Sequence, residues 1–168
     1  LPGFKGAWVE KRLGEMSDIM TGATPSTNVA AYWGGDIRWM SSGEVHLKYV
    51  KDVVGRITRQ GFDSASTCML PAKTVLIALA GQGKTRGTVA ISLIPLCTNQ
   101  SIAGIVPSSM FNSDFLYHCL DARYEDLRMI SSGDGSRGGL SKQILSDYVV
   151  NIPPTLAEQK AIAKVLGD

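Results

Sequence analysis

The sequence predicts an α+β fold: a single globular domain with a mixed or antiparallel β-rich core, a helix near 113–130, and a C-terminal helix that begins a stalk. Three observations carry this. Apolar runs of strand length dominate the first two-thirds of the chain, the apolar period becomes helical only after Asn112, and a capped helix opens at Leu156. An alternating βαβ chain would interleave helices between its strands from the start. At 168 residues with 44% apolar side chains, the chain is long enough to bury one core.

Residues 8–16 mix apolar and polar side chains as an edge strand or opening turn does. Residues 21–28 are turn-rich: Gly22 admits positive φ, and Pro25 biases Thr24 toward extended geometry. Residues 36–40 read as a short strand closed by a small polar loop, residues 41–44. After a turn at Pro71, residues 74–80 form the continuous β-branched and aliphatic run typical of a central strand. Residues 87–93 and 101–106 read as two more strands, the second closed by Pro107.

Between Asn112 and Ile130, the side chains of Phe115, Leu116, Cys119, Leu120, Leu127 and Ile130 fall on one helical face, with Asn112 or Ser113 as the cap. A glycine-rich loop occupies residues 131–139. Ser141 caps a short helix reaching Ser146, and residues 148–152 are a strand. Pro153 and Pro154 stop that strand, and Thr155 with Glu158 forms a capping box, so a helix begins at Leu156. Its roughly three turns are marginal alone. The helix therefore reads as the root of something longer or as a docking element, which makes residues 1–152 a head and 153–168 the start of a stalk. The first residue is not Met, so the chain is expected to be part of a larger one.

Several function classes are excluded or weakened. No apolar run approaches the roughly 20 residues needed to span a bilayer, and the N-terminus has no signal-peptide pattern, so no membrane partner is expected. Cys68, Cys97 and Cys119 are odd in number, far apart and set in apolar surroundings. Buried thiols in a cytoplasmic protein are the expectation. With two histidines, His46 and His118, and no CxxC, neither a metal site nor a Ser-His-Asp grouping is indicated. The net charge of +2 does not by itself argue for nucleic acid.

Two motifs invite enzymatic readings. Gly81-Gln82-Gly83-Lys84-Thr85 follows a strand as a phosphate loop does, but that loop needs a glycine where Ala78 stands, and a helix where residues 87–93 read as a strand. A mobile basic hairpin loop is the better account. Asn151-Ile152-Pro153-Pro154 approaches the Asn-Pro-Pro-aromatic motif of amino-methyltransferases, yet Ile152 intervenes and Thr155 holds the aromatic position. The chain is expected to be non-catalytic and to need no cofactor. Trp33 and Trp39 are expected to anchor the core.

What remains are polar, partly basic loops on a rigid scaffold: residues 21–28, 38–44, 81–86 and 131–142. Arg and Lys contact phosphates or guanine edges, while Ser, Thr, Asn and Gln read adenine or hold the backbone.

The order of motifs adds to this. Trp8…Leu13-Gly14-Glu15 is followed by Gly22-Ala23-Thr24-Pro25 and by Tyr32-Trp33-Gly34-Gly35-Asp36-Ile37-Arg38-Trp39. Then come Ile57-Thr58-Arg59-Gln60-Gly61, Leu70-Pro71-Ala72-Lys73-Thr74-Val75-Leu76, and Gly83-Lys84-Thr85-Arg86-Gly87-Thr88-Val89-Ala90-Ile91. Thr98-Asn99-Gln100-Ser101 and Pro153-Pro154…Glu158-Gln159-Lys160-Ala161-Ile162-Ala163 complete the series. Nearly the whole chain thus resembles the target recognition domain of a Type I restriction–modification specificity subunit.

The resemblance implies a domain that binds double-stranded DNA, reads one half of a bipartite target, and carries no catalysis. Modification and restriction subunits would be partners held through paired stalk helices, with methyl transfer from S-adenosylmethionine and ATP-driven cleavage supplied by them. One head cannot bridge two half-sites unless it forms a homodimer.

Lys84, Arg86, Arg137 and Lys142 are then the candidates for phosphate or base-edge contacts. Gln82, Thr85, Ser136, Thr24, Ser41 and Ser42 are candidates for polar contacts, and Arg38 joins them unless it pairs with Glu44 or Asp36. Asn99 and Gln100 are expected to buttress loops. The isolated head is expected to bind DNA with micromolar or weaker affinity, about that of non-specific binding. The alternatives are a specificity module of a fused restriction–methylation enzyme, a nucleotide-dependent enzyme using the 81–85 loop, and a non-DNA protein-interaction module.

Overall fold

The computed structural model describes residues 1–131 and 139–167. The chain opens with β1 (Val9–Arg12), α1 (Leu13–Met16) and β2 (Ile19–Thr21), then passes through a 3₁₀ turn at Ala30–Tyr32 into β3 (Trp33–Met40). A 3₁₀ helix at Ser42–Leu47 leads to β4 (Tyr49–Val50), β5 (Gly55–Ile57) and α2 (Arg59–Ser64). The strands β6 (Val75–Ala78), β7 (Val89–Ser92), β8 (Cys97–Thr98) and β9 (Ile102–Ile105) follow. Helices α3 (Ser113–Asp121), α4 (Tyr124–Met129) and α5 (Lys142–Asp147) precede β10 (Val149–Ile152) and α6 (Leu156–Gly167).

A five-stranded sheet in the order β2-β9-β6-β7-β4 organises the molecule. Its pairs are antiparallel except β7 with β4. Strand β6 lies in the middle, which explains its unbroken apolar run. Its side chains alternate between faces, and both faces are covered: Val75 and Ile77 enter one apolar cluster, Leu76 and Ala78 the other. The first cluster fills the space under α1, α3, α4, α5 and the β1–β10 ribbon with Leu13, Phe115, Leu116, Leu120, Leu127, Leu145 and Val150. The second gathers Met40, Val45, Leu70 and Leu96 beneath the 3₁₀ helix and the small β5-β3-β8 sheet. Each fully buried aliphatic side chain contributes about 1.5–3 kcal/mol.

Most expected elements are present, and the departures have physical causes. The helix expected near 113–130 is two helices. Asn112 caps α3 by accepting from the Phe115 N–H at 2.9 Å. The backbone leaves helical geometry at Arg123 (φ −107°, ψ 23°) before α4 begins. The expected loop at residues 41–44 is instead the start of the 3₁₀ helix, with Ser41 and Glu44 forming a reciprocal capping box. Trp33 and Trp39 are half-buried and stand outside both apolar clusters; their rings meet edge to face at 5.2 Å. Of the three thiols only Cys97 is fully buried, and burial pushes its pKa up to about 11. Cys68 and Cys119 are half-buried, and their pKa values are also raised by burial.

Helix α2 is an addition to the elements read from sequence. Thr58 caps it, its Oγ1 accepting from the Gly61 N–H at 3.0 Å. At the other end of the chain, Thr155 Oγ1 accepts from the Glu158 N–H at 3.3 Å as α6 begins. Gln159, which is buried, accepts from the Asn112 N–H at 2.8 Å and donates to the Pro153 carbonyl at 3.1 Å. One amide thereby ties the root of α6 to the cap of α3.

Candidate nucleic-acid interface

Strand directions decide which loops meet. Strands β2 and β6 end, and β9 and β7 begin, at the same end of the central sheet. The segments 22–29, 79–88 and 99–101 therefore share that end. Leu79 N–H donates to the Ser101 carbonyl at 2.8 Å, Ala23 N–H to Thr98 at 3.0 Å, and Leu140 N–H to Leu79 at 2.9 Å. Strand β3 runs parallel to β8 with Met40 opposite Thr98, and the Asn99 N–H donates to the Met40 carbonyl at 2.9 Å. Ser41 and Ser42 are brought to the same place by that pairing. Lys142 opens α5 two residues after Leu140.

Thr24, Ser41, Ser42, Gln82, Lys84, Thr85, Arg86 and Lys142 thus gather at one end of the molecule. Gln82, Lys84 and Lys142 are exposed, while Thr85 and Arg86 are half-buried. Ser136 and Arg137 lie outside the described residues. Arg38 sits to the side, on β3 opposite Arg56. Its expected partners are Glu44 or Asp36, but its Nε binds Asp52 at 3.0 Å instead, and Arg56 Nη2 reaches the same oxygen at 3.0 Å. The Val53 N–H and then the Arg38 guanidinium hold the Asp52 carboxyl below its usual range.

The loop between β6 and β7 is a turn-rich hairpin connection. Gly81, Gly83 and Gly87 have φ of 132°, 64° and 88°, conformations that side chains with a Cβ rarely adopt. The loop leads into strand β7 and not into a helix, so the strand–loop–helix geometry of a phosphate loop is not formed. A mobile hairpin is the expectation from its composition, yet α4 grips its backbone. Arg128 donates from Nη2 to the Gly83 carbonyl at 2.8 Å and from Nη1 to the Arg86 carbonyl at 2.7 Å. The Lys84 carbonyl accepts from the Tyr124 hydroxyl at 2.6 Å and from Thr88 Oγ1 at 2.9 Å. Neither Tyr124 nor Arg128 stands out in the sequence. Their only signal there is an i,i+4 spacing off the apolar helical face.

The 22–29 segment is held differently. Trp39 Nε1 donates to the Ala23 carbonyl and Trp33 Nε1 to the Ser26 carbonyl, both at 3.0 Å. Thr24 Oγ1 donates to Gln100 Oε1 at 2.6 Å, and Asn99 Oδ1 accepts from the Ser101 N–H at 3.1 Å. Asn99 and Gln100 do buttress loops, as expected. Ser41 is likewise occupied with its cap, which leaves Ser42 as the other serine at that corner.

Among the described residues no group of three or more His, Cys, Asp or Glu could hold a metal ion. No helix among them is long and apolar enough to cross a membrane. The family model described as the Type I restriction modification DNA specificity domain matches residues 5–168.

The chain belongs to that family. This specificity domain is 30% identical to the Type I restriction enzyme MjaIX specificity subunit of Methanocaldococcus jannaschii over 168 residues, covering 95% of this chain and 37% of that protein. It is 26% identical over 149 residues to the HindI specificity subunit of Haemophilus influenzae, covering 87% of this chain and 32% of that protein. The specificity domain therefore spans about a third of the length of the curated relatives it matches. The crystal structure of the HsdS subunit from Thermoanaerobacter tengcongensis shares its fold, with a TM-score of 0.69 at 21% identity, over 99% of this chain and 39% of that one.

Proposed function

We propose that this specificity domain is a DNA target recognition domain that reads one half of a bipartite site and performs no chemistry itself. Residues 1–152 form the recognition head, and residues 153–168 begin the helix through which a cytoplasmic assembly of modification and restriction subunits holds it. The observation that carries the reading is the gathering of Thr24, Ser42, Gln82, Lys84, Thr85, Arg86 and Lys142 at one end of the central sheet. Family membership and the folds of related specificity subunits support it.

The chemistry suits duplex DNA. Lys84, Arg86 and Lys142 neutralise phosphates, and Gln82, Thr85 and Ser42 offer the hydrogen-bonding groups that read base edges. Arg137 and Ser136, in the 131–139 segment, belong to the same proposed set. Arg38 belongs to it through the Arg38–Asp52–Arg56 cluster, whose two guanidiniums outnumber the one carboxylate. A single head reads a single half-site, so the second comes from another recognition domain or from a second copy of this chain.

The test replaces one recognition domain of an active Type I system with this chain and maps methylated sites across the genome. The expected result is a new half-site that appears with the swap. An unchanged methylome from a folded, assembled chimera would overturn the proposal.

A further inference from the structure

We propose that Tyr124 and Arg128 are positioning residues for recognition: they hold the 81–87 loop by its carbonyl groups, so that Gln82, Lys84 and Thr85 are presented to DNA in one geometry. The inference rests on the DNA reading above. Three glycines at positive φ leave this loop many backbone conformations, and ordering them on binding would subtract from affinity. Side-chain donors from α4 remove that freedom beforehand. The Gly83, Lys84 and Arg86 carbonyls all point to Tyr124 or Arg128.

The residue types fit the task. Arg128 bridges two carbonyls three residues apart, which suits a rigid guanidinium fork and not the single point charge of a lysine. The Tyr124 ring lies 5.4 Å from the guanidinium carbon and supports it. Gly87 allows the close approach: a Cβ there would sit 3.1 Å from Arg128 Cγ.

Helix α4 is itself anchored, with Leu127 fully buried and Asp126 accepting from the Tyr148 hydroxyl at 2.6 Å. The clamp also has an electrostatic consequence. Carbonyl oxygens repel phosphates; here two of them are turned toward a guanidinium and a third toward a hydroxyl, while Gln82 and Lys84 stay exposed.

The experiment uses the chimeric methyltransferase carrying this chain, with its cognate duplex as probe. Affinity, salt dependence and amide hydrogen exchange across residues 81–87 are measured for Arg128→Ala, Arg128→Lys, Tyr124→Phe, Lys84→Ala and the Arg128→Ala/Lys84→Ala pair. Arg128→Ala is expected to weaken binding about tenfold and to speed loop exchange, with an unchanged salt slope because Arg128 contacts no phosphate. Arg128→Lys should not restore binding. Tyr124→Phe should weaken it about two- to threefold. In the pair, losing Arg128 should cost less than it does alone, because the residue it positions is already gone.

Full rescue by lysine, or a slope reduced by about one unit in Arg128→Ala, would make Arg128 a direct phosphate contact and overturn the clamp. Faster loop exchange with unchanged affinity would overturn it as well. In both cases Lys84→Ala still weakens binding and the DNA reading stands. If Lys84→Ala has no effect, this loop is not a DNA contact, and the clamp's role in recognition falls with it. Should Arg128→Ala fail to fold, Tyr124→Phe, which removes one hydroxyl, carries the test.

Discussion

Two polar loops meet at the same end of the central sheet, and they are held by different means. The 22–29 segment is fixed by half-buried indoles: Trp39 binds the Ala23 carbonyl and Trp33 the Ser26 carbonyl, and Pro25 between them is buried. The 79–88 segment has no aromatic floor of its own. It depends on three glycines and on a short helix that supplies Arg128 and Tyr124. Both arrangements turn carbonyls inward. The first does so from strand β3 with paired indoles, the second from helix α4 with a guanidinium and a hydroxyl. A recognition surface built this way has one wall held by packing and one held by hydrogen bonds.

The largest expected contrast lies in glycine replacement. A Cβ at Gly22 would overlap the Thr98 carbonyl oxygen, so Gly22→Ala should destabilise the protein by about 3 kcal/mol in denaturant unfolding. Gly83 has φ of 64°, and a Cβ there would meet nothing within 4 Å, so Gly83→Ala should cost only about 1 kcal/mol of backbone strain. Equal costs at the two sites would break the distinction between a packed and a hydrogen-bonded wall.

A smaller contrast separates the donors. Trp39→Phe leaves the Ala23 carbonyl unpaired and should cost about 1–2 kcal/mol of global stability. Tyr124→Phe should cost less than about 1 kcal/mol, because Thr88 still donates to the Lys84 carbonyl. The same unfolding curves check both. A larger loss for Tyr124→Phe would mean that the basic loop supports the core after all.

The smallest effect concerns the corner beside the packed wall. The carboxyl of Asp52 titrates below its ordinary value of 3.8, first through the Val53 N–H and then through Arg38. A depressed carboxylate contributes stability that is present above its unfolded pKa and is lost as pH falls through the folded value. Melting curves of the chain and of Asp52→Asn should therefore differ slightly at neutral pH and draw together as the pH falls from 3.8 through the lower folded value. A gap that persists into strong acid would show that Asp52 acts by shape and not by charge.

Much of the fold is legible in the sequence, and the misses are instructive. The Thr155–Glu158 capping box stands out because an apolar helical pattern follows it. The same pattern, Ser41-x-x-Glu44, gives no such signal because the 3₁₀ helix behind it buries only Val45. The break at Arg123 is hidden for a related reason: Leu127 lands in the core in both a continuous and a broken helix. Size alone places Trp33 and Trp39 in the core, but their indole N–H groups hold loop carbonyls at its margin. For the candidate interface, residue types are readable and partners are not. Glu44 and Asp36 are near Arg38 in sequence, whereas its actual partner Asp52 reaches it through a strand pairing.

Local chemistry, read one stretch at a time, determined the α+β class, the central strand, the caps at Ser141 and Thr155, a cap at Asn112 or Ser113, and the supply of basic and amide side chains in glycine-rich loops. Only the tertiary structure decided that these loops share one end of the sheet, that Gln100 steadies Thr24, and that Arg128 grips a carbonyl 45 residues away. The physical reason is range. Caps, turns and periodicity act within a few residues, whereas strand order and helix docking place groups that no local rule connects.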